Sequence, residues 1–271
     1  MQGKIPVVRL PDDEGYHYWE MFPDTWAIQY GEGLYCFLLI GQEKALLIDT
    51  GYGRGDFPNV IDRLTDKPII LANTHGHYDH TGGNAWFPKA YMHPEAAKIA
   101  RRSFGPIDPE FWANMPYPDY EIECIDDGYV FDLGGRKVEA LHTPCHSSGS
   151  LTFLDHGQRL LFPGDEFDSA QANLFGYDTL PAFLRNMKRL KAREAEYDYI
   201  LPQHNGCPIV KRYIDDFIRN AEDILAGHPH YAVVDDAPGY EPGGPWGMDR
   251  IRSRVGHASI VYEDPNKTKE D

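Results

Sequence analysis

Cysteine is scarce in this chain and nowhere paired. Cys36, Cys124, Cys145 and Cys207 are scattered over 271 residues. With no Cys-x-x-Cys spacing among them, the expectation is a reduced, cytoplasmic setting. Positive charge is also in short supply, with 26 Lys and Arg against 42 Asp and Glu and a formal net charge of −16. Such a surface repels phosphate backbones, which argues against nucleic acid as a partner. No apolar run approaches membrane-span length, so no membrane partner is expected. The opening Met1-Gln2-Gly3-Lys4-Ile5-Pro6 also lacks the apolar core of a secretory signal. Internal repeats and low-complexity linkers are absent too. What remains is an ordinary folded composition, 42% hydrophobic and 13% aromatic. We read it as a single domain over 1–271, with a core of about 28–227, an aromatic insertion at 103–121 and a C-terminal tail at 228–271 that packs on or near a pocket.

The most informative stretch is Thr74-His75-Gly76-His77-Tyr78-Asp79-His80, followed by Thr81-Gly82-Gly83. It comes directly after Ile69-Ile70-Leu71-Ala72, a short branched run behind Pro68 that reads as a buried strand. Four residues able to ligate a metal therefore sit on the loop leaving a strand's carboxyl end, where open α/β sheets commonly place their sites. In extended chain His75 and His77 point the same way. Asp79 and His80 are adjacent, so the chain must turn to aim both, and one cluster can serve two metal ions. The spacing is not that of a His-Glu-x-x-His helix.

Along the chain, residues 1 to about 25 read as irregular, rich in Pro and aromatics. Leu34–Ile40 and Ala45–Ile48 read as a hairpin around Gly41-Gln42-Glu43-Lys44. The second of these strands ends in Asp49, placed to hydrogen-bond a ligand histidine from behind or, alternatively, to stabilise a turn. Helices are expected at Phe57–Leu64, Pro94–Arg102, Thr179–Lys191 (capped by Thr179) and Ile209–Ala226 (stopped by Gly227). Further strands are expected at Tyr91-Met92, Tyr129–Asp132, Arg136–His142, Ser150–Leu154, Arg159–Phe162, Tyr199–Leu201 and near Ala258–Tyr262. The insertion with Trp112, the segment with Tyr177 and the tail around Trp246 are the expected pocket walls, with Trp112 and Tyr177 as substrate contacts.

Three later strands repeat the design of the first. Arg136–His142 leads into Thr143-Pro144-Cys145-His146-Ser147, Arg159–Phe162 into Pro163-Gly164-Asp165, and Tyr199–Leu201 into Pro202-Gln203-His204. Each is an apolar strand, a Pro or Gly turn and one ligand-type residue. His142 reads as a strand residue outside the metal shell, and Cys145 as a packed thiol.

Together with Leu47-Ile48-Asp49-Thr50-Gly51 and the His-x-His-x-Asp-His cluster, these motifs resemble the metallo-β-lactamase-fold hydrolase superfamily over roughly residues 34–206. The resemblance implies an α/β fold, a four-layer αββα sandwich of two mixed β-sheets flanked by helices. It also implies a binuclear site, with one ion on His75, His77 and His146, a second on Asp79, His80 and His204, and Asp165 bridging. Nitrogen and carboxylate ligands fit zinc, while manganese and iron also accept the set. The implied chemistry is attack by a bridging hydroxide on a small ester, lactone or thioester, with Asp79 holding or moving the water proton. Asp165 is typical of the glyoxalase II and lactonase-like branches, whereas true β-lactamases carry Cys or Ser there. Cys145 replaces a glycine common in the family, and Asp168 stands where quorum-signal lactonases carry tyrosine. The rival readings are a mononuclear iron oxygenase of the persulfide-dioxygenase type, a phosphodiesterase and a non-catalytic metal-binding member. The sequence carries no signal of oligomeric state.

Overall fold

The computed structural model describes residues 15–31, 33–53, 55–100, 120–169, 171–174, 179–230 and 250–263. Seven strands form the first sheet in sequence order: β1 (Tyr16–Phe22), β2 (Thr25–Tyr30), β3 (Tyr35–Ile40), β4 (Ala45–Ile48), β5 (Ile69–Ala72), β6 (Lys89–Met92) and β7 (Glu121–Cys124). The pairing is antiparallel from β1 to β4 and parallel from β4 to β7. The switch follows from the connections: a hairpin joins β3 to β4, whereas a helix crosses over between β4 and β5. That helix, α1 (Phe57–Leu64), starts where the Asp56 carboxylate accepts from the Asn59 N–H, and it buries Phe57, Val60 and Ile61.

The second sheet takes β8 (Val130–Asp132), β9 (Lys137–His142), β10 (Leu151–Asp155), β11 (Leu160–Phe162), β13 (Tyr199–Ile200) and β14 (Ile209–Val210). Its inner face meets the first sheet through Phe37, Leu39, Ile48, Val138, Phe153 and Phe162, all fully buried. Outside the first sheet lie α1, a one-turn α2 (Tyr78–Thr81) and α3 (Pro94–Ala97). Outside the second lie α4 (Leu180–Ala192) and α5 (Arg212–Leu225), packed through Phe183, Met187, Ile214 and Phe217. The expected four layers are therefore present, with both sheets mixed.

A third sheet was not expected. β12 (Gln171–Asn173) pairs parallel with β16 (Ala258–Glu263), which pairs antiparallel with β15 (Arg250–Val255), so the tail lies against the segment just after Asp165.

Other expectations need correction. Of the stretch read as irregular up to about residue 25, Tyr16–Phe22 is a strand, since β1 buries Tyr16 and Tyr18 in alternation and pairs with β2. These two tyrosines are the core face of an edge strand. β7 begins at Glu121, and residues 103–119 of the expected insertion lie outside the described residues. α3 ends at Ala97, a single turn. Ile209 and Val210 pair with β13 and the helix begins only at Arg212. Thr179 stands at the cap position of α4 but its hydroxyl makes no capping bond.

α3 does more than cover the sheet. Its Ala96 backbone presses against Gly76 and Gly149, where an added Cβ would meet the Ala96 oxygen at 2.4 Å and the Ala96 nitrogen at 2.2 Å. Only glycine fits at either contact. The His75–His77 loop and the loop after His146 are thereby set against one short turn of helix.

Candidate metal centre

Strand ends bring the site together. β4 ends at Ile48, and Asp49 turns with φ 64° into the space beyond β5. Its Oδ1 accepts from the Thr74 N–H at 2.8 Å, and its Oδ2 accepts from the Thr74 hydroxyl at 2.8 Å and pairs with His80 Nδ1 at 2.9 Å. These bonds fix the imidazole tautomers. His80 donates from Nδ1, which leaves Nε2 as the nitrogen turned to the site. The Thr74 hydroxyl spends its proton on Asp49, so at 3.0 Å it accepts from His75 Nδ1, and His75 Nε2 is turned to the site as well. The neighbouring Asn73 amide donates to the His80 carbonyl at 2.9 Å and to Asn84 Oδ1 at 3.2 Å, holding the turn after the cluster.

Two groups of donors result. His75 Nε2 lies 2.9 Å from His77 Nδ1, which lies 3.1 Å from His146 Nε2. The second group is Asp79, His80, Asp165 and His204. Here His80 Nε2 is 3.3 Å from both His204 Nε2 and Asp165 Oδ1, while His204 Nε2 is 3.4 Å from Asp79 Oδ2 and from Asp165 Oδ2. Asp165 also reaches toward the first group, its Oδ2 being 3.7 Å from His146 Nε2. Its buried Oδ1 faces His80 Nε2. Imidazole nitrogens converging at about 3 Å, with a carboxylate lying between two such groups, are the donor set a divalent cation takes.

The electrostatics agree. Burial, together with the neighbouring His80, pushes the His75 imidazolium well down, and burial with His146 lowers His77 to about 4. Both are neutral at physiological pH, as ligation requires. His204 runs the other way: burial disfavours its charge, but Asp165 and Asp79 outweigh that and carry it up to about 10. His80, buried but facing Asp165, Asp79 and Asp49, is likewise raised well above the ordinary value. Without a cation, the acidic half of the site thus holds protons in a cation's place.

All seven residues expected as ligands come together, and Asp49 stands behind two of the histidines. Trp112, Tyr177 and Trp246 lie outside the described residues. His142 stacks on His93, with ring centroids 3.9 Å apart and planes at 13°, and donates no nitrogen to either group. His93, His142 and Asp126 form a separate cluster. There, however, the His93 Nδ1 lone pair already accepts from the Glu95 N–H at 3.2 Å, so its Nε2 keeps the proton. The Cys145 thiol is buried and pushed up, chiefly by burial, with Sγ 3.5 Å from the Thr179 carbonyl. It is packed, as expected. His230 pairs with Asp223 and His257 with Arg212, and neither lines the cavity at the centre.

Glu166 had escaped notice. Fully buried beside Asp165, its Oε1 accepts from the Cys145 N–H at 3.2 Å and the His146 N–H at 3.0 Å, and Asn186 of α4 donates to Oε2 at 3.4 Å. Asn186 also reaches the Pro144 carbonyl at 3.3 Å. Burial pushes the Glu166 carboxyl up to about 8. Successive residues thus face opposite ways: Asp165 toward the donors, Glu166 back to the loop that carries His146. The one available signal was an acid immediately after a ligand-type acid. A cavity of about 240 Å³ opens on this face, lined by His146, Asp165, Asp168, Gln171, Asn173, His204 and Asn205.

The family model of the metallo-beta-lactamase superfamily matches residues 31–204. The acyl-coenzyme A thioesterase MBLAC2 of Homo sapiens is 28% identical over 184 residues, covering 57% of this chain and 66% of that protein. The atrochrysone carboxyl ACP thioesterase of Emericella nidulans is 27% identical over 183 residues, covering 64% and 52%. The chain therefore spans between half and two thirds of the length of these relatives. Among solved structures, a metallo-beta-lactamase from Erythrobacter litoralis superposes with a TM-score of 0.58 at 16% identity, covering 80% of this chain and all of that one. One from Cronobacter sakazakii gives 0.56 at 20% identity, covering 78% and 93%. At such identities the likeness is one of fold.

Proposed function

The chain belongs to the metallo-beta-lactamase superfamily, and from that premise we propose that it is a binuclear, metal-dependent hydrolase of a small ester, lactone or thioester. One observation carries the reading: Asp165 lies between a three-histidine group and a His/Asp group whose lone pairs all face inward. His75, His77 and His146 would hold one divalent ion, Asp79, His80 and His204 the other, and Asp165 both. Zinc suits these donors best. Two such ions would supply Lewis acidity toward a carbonyl oxygen and lower the pKa of water from 15.7 to about 7.

The chain's own residues do the rest. Asp49 sets the tautomers, directly for His80 and through Thr74 for His75. Asp79, held below its usual range because His80 and His204 outweigh burial, can take up and pass on the proton of the attacking water at Oδ2. The thioesterase names of two relatives favour a thioester within this class. No helix among the described residues is long and apolar enough to cross a membrane.

The test is metal content per chain, measured on protein purified without added metal and followed by a panel of thioesters, lactones and esters. About two zinc per chain with turnover of a panel member supports the reading. One iron per chain, with oxygen consumed, overturns it.

A further inference from the structure

The cavity wall away from the histidines is an amide relay with a fixed direction. Arg252 on β15 donates from Nη2 to Gln171 Oε1 at 2.8 Å, and Gln171 donates from Nε2 to Asn173 Oδ1 at 2.7 Å. A guanidinium has donors only, so Gln171 must turn its oxygen to Arg252 and its NH₂ to Asn173. Asn173 must then present its oxygen to Gln171. Its own NH₂ ends the relay and donates to no protein acceptor among the described residues. Gln171 and Asn173 are two apart on β12 and so share a face. Both line the cavity that holds His146, Asp165 and His204.

The acidic part of that wall is already engaged. Asp168 accepts from the Gln171 N–H at 2.8 Å and from Asn205 Nδ2 at 2.7 Å. Among the described residues, Gln171 and Asn205 each spend one N–H of their amide on a neighbour, whereas the oriented Asn173 NH₂ keeps both beside the metal-type side chains. A space of about 240 Å³ takes a short acyl chain and leaves a bulky leaving group outside.

Resting on the hydrolase reading above, we propose that Asn173 is a specificity-determining substrate contact. Its amide donates to an acceptor oxygen on the acyl chain beyond the scissile carbonyl, and the site selects short hydroxyacyl or oxoacyl thioesters and esters over plain alkanoyl ones. Arg252 acts as a positioning residue by fixing which end of the Gln171 amide faces Asn173.

The zinc-loaded full chain is assayed with S-butanoyl- and S-3-hydroxybutanoyl-N-acetylcysteamine as a matched pair, with metal content measured in parallel. The expected wild-type preference in kcat/KM for the hydroxyacyl thioester is about 10-fold or more, the scale of an unmet partner in a partly buried site. Asn173→Leu brings that ratio near one, mainly through the KM of the hydroxyacyl substrate, at full metal content. Asn173→Asp, which keeps the volume and an oxygen toward Gln171 but removes the donor, does the same and serves if the Leu variant does not fold. Arg252→Met lowers the ratio part of the way, because the Gln171 amide can then flip. A wild-type ratio near one overturns the proposal, as does an unchanged ratio in the Asn173 variants. Hydrolysis of neither thioester overturns this proposal, and the hydrolase reading itself falls only if zinc-loaded protein also leaves the panel of esters, lactones and other thioesters untouched.

Discussion

Between the same two sheets the chain buries ionisable side chains at two ends, and the two ends are finished differently. At one, Arg136 lies between the sheets with every arm engaged. It donates to Asp155 Oδ2 from Nε and Nη2 at 2.9 and 2.6 Å, to Thr25 Oγ1 at 2.6 Å, and to the carbonyls of Asp24 and Ile40 at 2.7 and 3.1 Å. Asp155 Oδ1 is taken by the Gly157 and Gln158 N–H groups. One cation faces one anion and no lone pair is spare. At the other end five imidazoles and two carboxylates crowd together, with ring nitrogens at about 3 Å and no Arg or Lys among them. A buried charge network closed on itself serves stability, and one left open is a receptor for a charge from outside.

That contrast can be broken at either end. The largest effect is expected from Asp165→Asn, which removes the carboxylate between the two groups. Metal content should fall below two per chain, and turnover should drop by more than the 10–100-fold typical of losing a residue behind a ligand. Next, Arg136→Met strands the Asp155 carboxylate. Chemical denaturation should show a loss of about 3–5 kcal/mol while metal content stays at the wild-type value. Glu166→Ala leaves the Cys145 and His146 N–H groups without an acceptor, at a cost of about 1–3 kcal/mol each, and should loosen zinc as well. Glu166→Gln, which keeps one acceptor oxygen, should lose much less in both readings. Asp49→Asn should weaken zinc by about 10–100-fold in chelator competition, and it should also lower the unfolding midpoint of the metal-free chain, because the Thr74 hydroxyl and His80 Nδ1 lose their shared acceptor.

The smallest signal is a count of protons. His204 is carried up to about 10 in the metal-free fold, and His80 is raised too. His204 is therefore charged at pH 7.5 and must release its proton as zinc binds. A pH-stat titration should read about one proton per chain or more. The sign for stability is that of a raised histidine. The contribution of these imidazolium–carboxylate contacts to the metal-free fold is complete below about pH 6.5, the unfolded value, and fades as pH rises through the folded one. A metal-free protein that gained stability on that rise would contradict it.

The open end was far more legible in the sequence than the closed one. His75, His77, Asp79 and His80 announce themselves because they sit within six residues, and the three later donors share the grammar of strand, turn and ligand. The strands from β3 to β6 were legible for the same reason, as branched runs between turns. Arg136 and Asp155 carry no such signal. They meet through pairing between β9 and β10, and the other partners of Arg136 (Asp24, Thr25 and Ile40) stand more than ninety positions away, on or beside strands of the first sheet. Long-range register is what a local pattern leaves out. The same holds for β12, three residues without branched side chains whose strand character is supplied by β16. Glu166 was hidden differently: beside a conspicuous Asp165, its role depends on which way the chain turns after β11.

The contacts of Ala96 with Gly76 and Gly149 bear on how this molecule can diversify. Two loops that carry donors are spaced by a backbone contact with no room for a single methyl group, so that side of the cavity cannot be reshaped one substitution at a time. β12 is under no such constraint: Gln171 and Asn173 can be exchanged without moving a donor of the centre. New substrate preferences in descendants of this chain should therefore begin on that wall.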